Sequence, residues 1–300
     1  MKQQYLEKSF QRETLRLIEV MNAIIDEYVE QGYVLTVRQL YYQLVARAII
    51  ENTEKSYKRI TSIVNDAKIA GLTDWDAIED RTRSFIRRSA WTSGASVLKS
   101  ARDSYHEDMW TNQHTRIFVI VEKEALAGVL EGVCNKYDMP LLAARGYPSG
   151  TVLREFAESD LIPALDRGQD VIILHLGDHD PSGIDMTRDL RERLELFVSS
   201  DLAVSLDLKR IALNMEQIRK VNPPENPAKS TDSRYKDYRR KYGQSSWELD
   251  ALDPRYLNNL IDGEVNKIID FHAWEERQGE IEIVRSALDD VYESFKKNGL

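Results

Sequence analysis

The sequence predicts an α/β protein in three parts: a helical unit of helix-turn-helix order with a wing (1–110), a parallel-sheet unit (111–215), and a loop with a helical C-terminal extension (216–300). Three observations carry this expectation. The runs RIFVIV at 116–121 and VIILHL at 171–176 have the composition of strands buried on both faces of a parallel sheet. Between them Leu126, Val129, Leu130 and Val133 recur at helical spacing, the order of a right-handed crossover. Ahead of them lie helical segments with recognisable caps.

In chain order, residues 4–31 place Leu15, Leu17, Ile18, Val20, Met21, Ile24, Ile25 and Tyr28 on an amphipathic helix closed by Gly32. Its apolar face is expected to pack on the next unit or on a second subunit. Thr36 can cap a second helix with Leu40, Leu44 and Val45 on its core face. A polar break at 52–54 starts a third helix over 56–68, ending at Ala70-Gly71, and 75–83 then reads as a short wing. The third helix carries Lys55, Lys58, Arg59, Thr61, Ser62, Asn65 and Lys68, types that contact phosphates and base edges. The same pattern also describes three packed helices with a solvated charged face. Residues 84–110, with Arg87, Arg88, Trp91 and Leu98, continue as a helical connector in which Gly94 marks a hinge.

Both sheet runs end in acids. Asp178 and Asp180 leave the carboxyl end of 171–176, and residues two apart on extended backbone point the same way. Their carboxylates can thus converge where open α/β sheets place their sites. If the two strands are neighbours, Glu122 lies beside them. Carboxylates without Cys or His partners match a hard cation, Mg²⁺ above all. Two plainer readings compete. Residues 178–189 partly match a calcium loop, but such a loop follows a helix and ends in Glu, whereas a strand precedes this one and Asp189 closes it. An aspartate could also simply cap the helix that begins near Ser182.

A further strand is expected at 208–213. The tract 221–230, with Pro223, Pro224 and Pro227, is expected to be irregular, because proline removes donors and fixes φ. In 234–242 Arg239, Arg240 and their neighbouring cations interleave with tyrosines, a composition for phosphates and unstacked bases. It is equally that of an exposed helix with snorkelling arginines. From Asp262 the tail reads as helical and acidic, with Ile281, Val284, Leu288 and Val291 on one face for packing or dimerisation.

Composition narrows the function classes. One cysteine, Cys134, excludes an internal disulfide framework and matches a reducing compartment. No run approaches the ~18 apolar residues of a membrane span, and the first residues lack the apolar core of a signal peptide. A cytoplasmic protein with no membrane partner is expected. The net charge of −9 argues against nucleic acid if taken alone. Residues 31–100, however, hold eleven Lys/Arg against seven Asp/Glu, so a basic unit is joined to an acidic remainder. No Gly-x-x-x-x-Gly-Lys-Ser/Thr loop is present for ATP, and no paired Cys or His-Glu-x-x-His motif for zinc. Of the histidines, His175 is expected in the core, and His179, between the two aspartates, to reach a phosphate.

Val121-Glu122-Lys123, Gly146-Tyr147-Pro148-Ser149 and Leu176-Gly177-Asp178-His179-Asp180-Pro181-Ser182-Gly183-Ile184-Asp185 resemble a Toprim domain, a Rossmann-like parallel sheet. The likeness is to the version in the A subunit of DNA topoisomerase VI and the related meiotic double-strand-break transesterase. Arg38-Gln39-Leu40-Tyr41-Tyr42 is similar to the Arg-x-x-Tyr-Tyr pattern that opens the winged-helix domain of that family. The resemblance covers about residues 36–48 and 116–190. It implies Tyr42 as nucleophile, Glu122 as a catalytic acid, and Mg²⁺ held by Glu122, Asp178 and Asp180. Arg38, four residues before Tyr42 on one helix face, would stabilise phenolate or phosphate charge. It further implies double-stranded DNA as substrate and a homodimer in which the tyrosine of one subunit meets the metal of the other. Strand passage would require a separate ATPase subunit. Glu-Leu-Asp-Ala-Leu at 248–252 resembles a late segment of the same family with a structural role. Because the glutamate and the Asp-x-Asp pair also occur in primases and nucleases, two alternatives stand. One is hydrolysis by metal-activated water with Tyr42 structural; the other is a non-catalytic DNA-binding protein.

Overall fold

Local caps start the N-terminal helices where the sequence places them. The computed structural model describes residues 1–79 and 90–297. Helix α1 spans Arg12–Val29, later than the periodicity suggests. The residues before it form an arm across the end of the third helix, with Tyr5 N–H donating to Ile69 O (2.9 Å). Gly71 permits that crossing: its φ is +74°, and a Cβ there would meet Gln4 at 2.9 Å. Ile18, Met21, Ile24, Ile25 and Tyr28 are buried, whereas Leu15 and Val20 are exposed. Strand β1 (Leu35–Thr36) leads into α2 (Val37–Ala46), where Thr36 and Gln39 cap each other reciprocally. Thr53 caps α3 (Glu54–Ile69). The three helices share a core that includes Ile25, Leu40, Leu44, Ile60 and Val64.

The expected wing contributes β2 (Ile78–Glu79), which pairs in parallel with β1. Residues 80–83 of that wing, and Arg87 and Arg88 of the connector, lie outside the described residues. Helix α4 (Gly94–Ser104) begins at Gly94 under a Ser93 cap. A Cβ on that glycine would lie 3.3 Å from the Phe295 ring, a close contact.

The second half of the chain builds a parallel sheet. Strand β3 (Thr115–Val121) is followed by α5 (Ala127–Lys136), β4 (Leu141–Ala143), α6 (Gly150–Phe156), α7 (Ile162–Asp166), β5 (Asp170–Leu176), α8 (Pro181–Phe197) and β6 (Leu206–Ala212). The strand order is β4-β3-β5-β6, all parallel. Alternation along β3 sends Ile117, Val119 and Val121 to one face and Phe118 and Ile120 to the other. Each set enters a separate core, which is why the run is apolar throughout. From β3 the chain moves outward to β4, then returns past β3 to β5. The order therefore reverses between β3 and β5, and the crevice at their carboxyl ends is where such sheets bind ligands.

After the sheet come α9 (Met215–Val221), β7 (Glu225–Pro227), α10 (Tyr235–Tyr242), β8 (Ser245–Trp247), α11 (Pro254–Val265) and α12 (Phe271–Lys297). The proline tract was expected to be irregular, yet β7 pairs antiparallel with β8. Pro227 closes that short ladder, where its missing N–H breaks no longer run. Leu257, Ile261 and Val265 of α11 enter the same core as α5. Of the apolar face expected on the tail, Ile281 is buried, while Val284 and Val291 are exposed. Among the described residues no helix is long and apolar enough to cross a membrane.

His175 sits on the α8 side of the sheet with no exposed surface, its Nδ1 against Thr187 Oγ1 (2.9 Å). Burial and the nearby Arg210 charge hold it down to about 3, from an ordinary value of 6.5. Between those values the unfolded chain binds the extra proton, so this stabilisation is full above 6.5 and is lost as pH falls toward 3. His175→Gln should flatten that part of the profile. Urea midpoints followed from neutrality to about pH 4 check it, and equal slopes in the two proteins would contradict it.

Candidate functional site

The last rung between β3 and β5 is the Glu122 N–H bond to Leu176 O (2.9 Å), so Glu122 emerges beside the turn that follows β5. Its Oε2 accepts the Asp178 N–H (2.8 Å). Asp180 caps α8, with Oδ1 accepting from Gly183 N–H (2.6 Å) and from the Ser182 hydroxyl (2.9 Å). Gly183 is where these groups meet. A Cβ there would collide with the Asp178 carbonyl oxygen and lie 3.0 Å from Glu122 Oε2. Arg210 of β6 pins the turn, donating to the carbonyls of Gly177 (2.8 Å), Asp178 (2.7 Å) and Gly183 (2.9 Å). Burial lowers its guanidinium to about 10, which still leaves it charged at neutrality. Burial also lifts the Glu122 carboxyl above its usual range, and the Asp180 charge adds to the rise.

Asp178 takes a different direction. Its Oδ1 accepts the Leu249 N–H (2.8 Å), and its Oδ2 pairs with Lys123 Nζ (3.0 Å). The two aspartates are therefore drawn to separate donors. Among the described residues no three His, Cys, Asp or Glu side chains gather closely enough to cage a metal ion. Glu122 and Asp180 both lie against Gly183 and offer only oxygen donors. That pair fits a hard divalent cation which keeps most of its own waters, as Mg²⁺ does. Asp178 stands aside from it, bound to Lys123.

Tyr42 and Arg38 lie on α2, four residues apart, with the guanidinium carbon 5.7 Å from the tyrosine ring centre. Arg38 Nε pairs with Asp250 Oδ2 (2.6 Å), and its Nη2 pairs with Glu248 Oε2. Lys123 Nζ reaches the same two acids, Glu248 at 2.8 Å and Asp250 at 2.8 Å. Tyr42 and Glu248 line one cavity. Burial, Asp250 and Glu248 all push the phenol upward, with Arg38 opposing. Lys123, in contrast, is held protonated by Asp250, Asp178 and Glu248 against its burial. A continuous chain of contacts thus runs from Tyr42 through Arg38, Glu248 and Lys123 to Asp178, inside one polypeptide. Over it opens a cavity of about 260 Å³ lined by Arg38, Tyr42, Tyr57, Asn226 and Glu248, among others.

The expected DNA-contacting residues divide. Lys55, Lys58 and Arg59 are exposed on α3, with Lys58 paired to Glu54 (2.7 Å) and Arg59 to Glu13 (3.0 Å). Lys68 is turned inward, donating to the carbonyls of Trp75 (3.1 Å) and Ile78, where it ties the end of α3 to β2. Arg239 and Arg240 are exposed on α10, and Arg240 pairs with Asp237 (3.0 Å). Tyr238 on that helix is buried, so its face is not offered to a base. His179 is buried too, its Nδ1 2.8 Å from the Tyr238 hydroxyl and its ring against Tyr242 and Trp247. It anchors the C-terminal segment, and the expectation of a phosphate contact is corrected on that ground.

Sequence reasoning missed Lys123, Arg210, Glu248 and Asp250 as site residues. Glu248 and Asp250 carried a usable signal, two acids separated by one apolar residue, the same spacing as Asp178 and Asp180. No protein-family model matches this chain, and no curated protein matches it.

The Asp250 side chain is wholly buried between Arg38 and Lys123. Asp250→Ala would leave two cations without their inner partner and should cost roughly 3–5 kcal/mol in denaturant unfolding. A loss below about 1 kcal/mol, the range of an exposed pair, would contradict the cluster as described.

Proposed function

We propose that this chain is a DNA-cleaving transesterase of the topoisomerase VI A-subunit kind, with a winged-helix unit presenting the duplex and a Toprim-type sheet supplying the acids. One observation carries the reading. Tyr42 and Arg38 face a cavity and connect, through Glu248 and Lys123, to the carboxylates at the β3/β5 strand ends. In the proposed step the Tyr42 hydroxyl oxygen attacks a backbone phosphorus. A phosphotyrosyl ester forms as the bond from phosphorus to one deoxyribose oxygen breaks, and that oxygen departs as a hydroxyl end. The phenol is held protonated in the resting site, so on attack its proton passes to water in the cavity. Arg38, 5.7 Å from the ring centre, would stabilise charge that develops on the phenol or the phosphate. Mg²⁺ held by Glu122 and Asp180 would supply charge stabilisation to the phosphate oxygens.

The exposed cations of α3, Lys55, Lys58 and Arg59, would track the duplex backbone, with Arg239 and Arg240 on a second element. The resemblance pairs the tyrosine of one subunit with the metal of the other, so a homodimer would cut both strands. Resealing with strand passage would still call for an ATPase subunit.

A second reading, hydrolysis by metal-activated water, is favoured by a specific observation. Tyr42 is only 5% exposed, and its surroundings push the phenol upward. Cleavage of supercoiled DNA with Mg²⁺, stopped with detergent, separates the two. Protease-dependent, protein-linked breaks should form with wild type and fall on the order of a hundredfold or more in Tyr42→Phe. Free ends made equally by both proteins would overturn transesterification. Glu122→Gln, or chelation of the metal, should abolish cleavage while duplex binding persists, as read by gel shift.

A further inference from the structure

One oxygen of Glu248, Oε2, accepts from both Arg38 Nη2 and Lys123 Nζ, the latter at 2.8 Å. The same residue lines the cavity of about 260 Å³ together with Tyr42. An anion thus bridges two cations directly in front of the side chain assigned as nucleophile. Asp250 grips the same two cations from inside, with its side chain wholly buried, whereas the Glu248 side chain keeps 27% of its surface exposed. The inner carboxylate is fixed and the outer one is exchangeable.

We propose that Glu248 occupies the seat of a nucleic-acid phosphodiester on Arg38 and Lys123, and that substrate binding turns Glu248 out of it. The proposal rests on the DNA-cleaving reading of this site. A phosphodiester carries one negative charge, as the carboxylate does, so the exchange leaves the charge of the cluster unchanged. No partly buried cation is stranded by it. A planar guanidinium also matches a phosphate as well as it matches a carboxylate. Arg38 and Lys123 hold the Glu248 carboxyl down to about 2, so the competitor is fully ionised at neutral pH. The free protein is therefore self-inhibited: entering DNA must displace an internal anion before it reaches Tyr42.

The test is fluorescence anisotropy with a short labelled duplex in a chelator, where no cleavage competes. Glu248→Gln should bind tighter than wild type by about 3–10-fold, with a log–log salt slope steeper by about 1–2, because two cations are freed for phosphate. Glu155→Gln, an exposed acid on α6 away from the cavity, should show neither change. Adding Arg38→Gln to Glu248→Gln should remove the gain. An unchanged or weaker Glu248→Gln, or an equal gain in Glu155→Gln, would overturn the proposal. Because Glu248→Gln can disturb packing, wild type is also followed by NMR. The Arg38 Nε–H resonance should shift as duplex binds, and a fixed resonance at saturation would overturn the proposal as well. Binding by wild type without the gain sinks this inference alone, and no binding by any protein sinks it together with the DNA reading. A gain without any Mg²⁺-dependent cleavage sinks the transesterase and leaves the phosphate seat standing.

Discussion

The arrangement depends on one buried carboxylate. Asp250 lies without exposed side-chain surface between Arg38 of α2 and Lys123 beyond β3, at 2.6 Å and 2.8 Å. Burying a charge is costly unless its partners are placed well, so this acid holds only while both cations stay where they are. The helical unit and the sheet are thereby coupled through a third segment that belongs to neither. Residues 247–253 act as a strut. Leu249 and Leu252 enter the core around α5, and Ala251 enters the core of the N-terminal helices. Asp253 accepts from the Tyr28 hydroxyl of α1 (2.9 Å), and Asn52 reaches Asn226 from the other side (2.8 Å). Tyr42 therefore has a defined position relative to the strand-end acids, which loose tethering of two units would not provide.

Much of the framework was legible because its signals are local. Thr36 sits one residue before helical periodicity and is found as a cap, and within the polar break at 52–54 it is Thr53 that caps the next helix. The runs at 116–121 and 171–176 became adjacent parallel strands because residues of that shape and polarity are stable only when buried on both faces. Glu122 beside Asp178 followed from that adjacency. What failed was long-range or turned on one close contact. Nothing local to Gly94 announces the Phe295 ring packed against it. The grouping of Arg38 with Asp250 joins positions 212 apart, and no periodicity encodes it. Asp178 and Asp180 were expected to converge because their spacing fits extended backbone. The spacing is there, but Leu249 N–H and Lys123 claim one carboxylate while the first turn of α8 claims the other.

Charge counting on the whole chain is a poor guide to such a molecule. Several cations that look available in sequence are already committed: Lys68 to backbone carbonyls, Arg210 to the turn after β5, and Lys123 to three acids. Lys55, Lys58 and Arg59 remain at the surface of α3, where their ion pairs are exposed and worth little. An incoming polyanion would exchange those outer pairs readily. The pairs made with Asp250 resist, because that partner is buried.

Period-two alternation explains how one strand end serves both halves of the site. Glu122 and Lys123 are consecutive on extended backbone, so their side chains leave β3 on opposite sides. Glu122 turns toward Gly183 and Arg210, and Lys123 toward Glu248 and Asp250. Asp178 belongs to both sides at once, giving its N–H to Glu122 and its carboxylate to Lys123. In the proposed chemistry the cation seat and the phosphate seat are therefore not independent. Whatever draws on Glu122 or on Lys123 is felt at one residue, since Asp178 gives its N–H to the first and its Oδ2 to the second, while the Leu249 N–H holds its other oxygen.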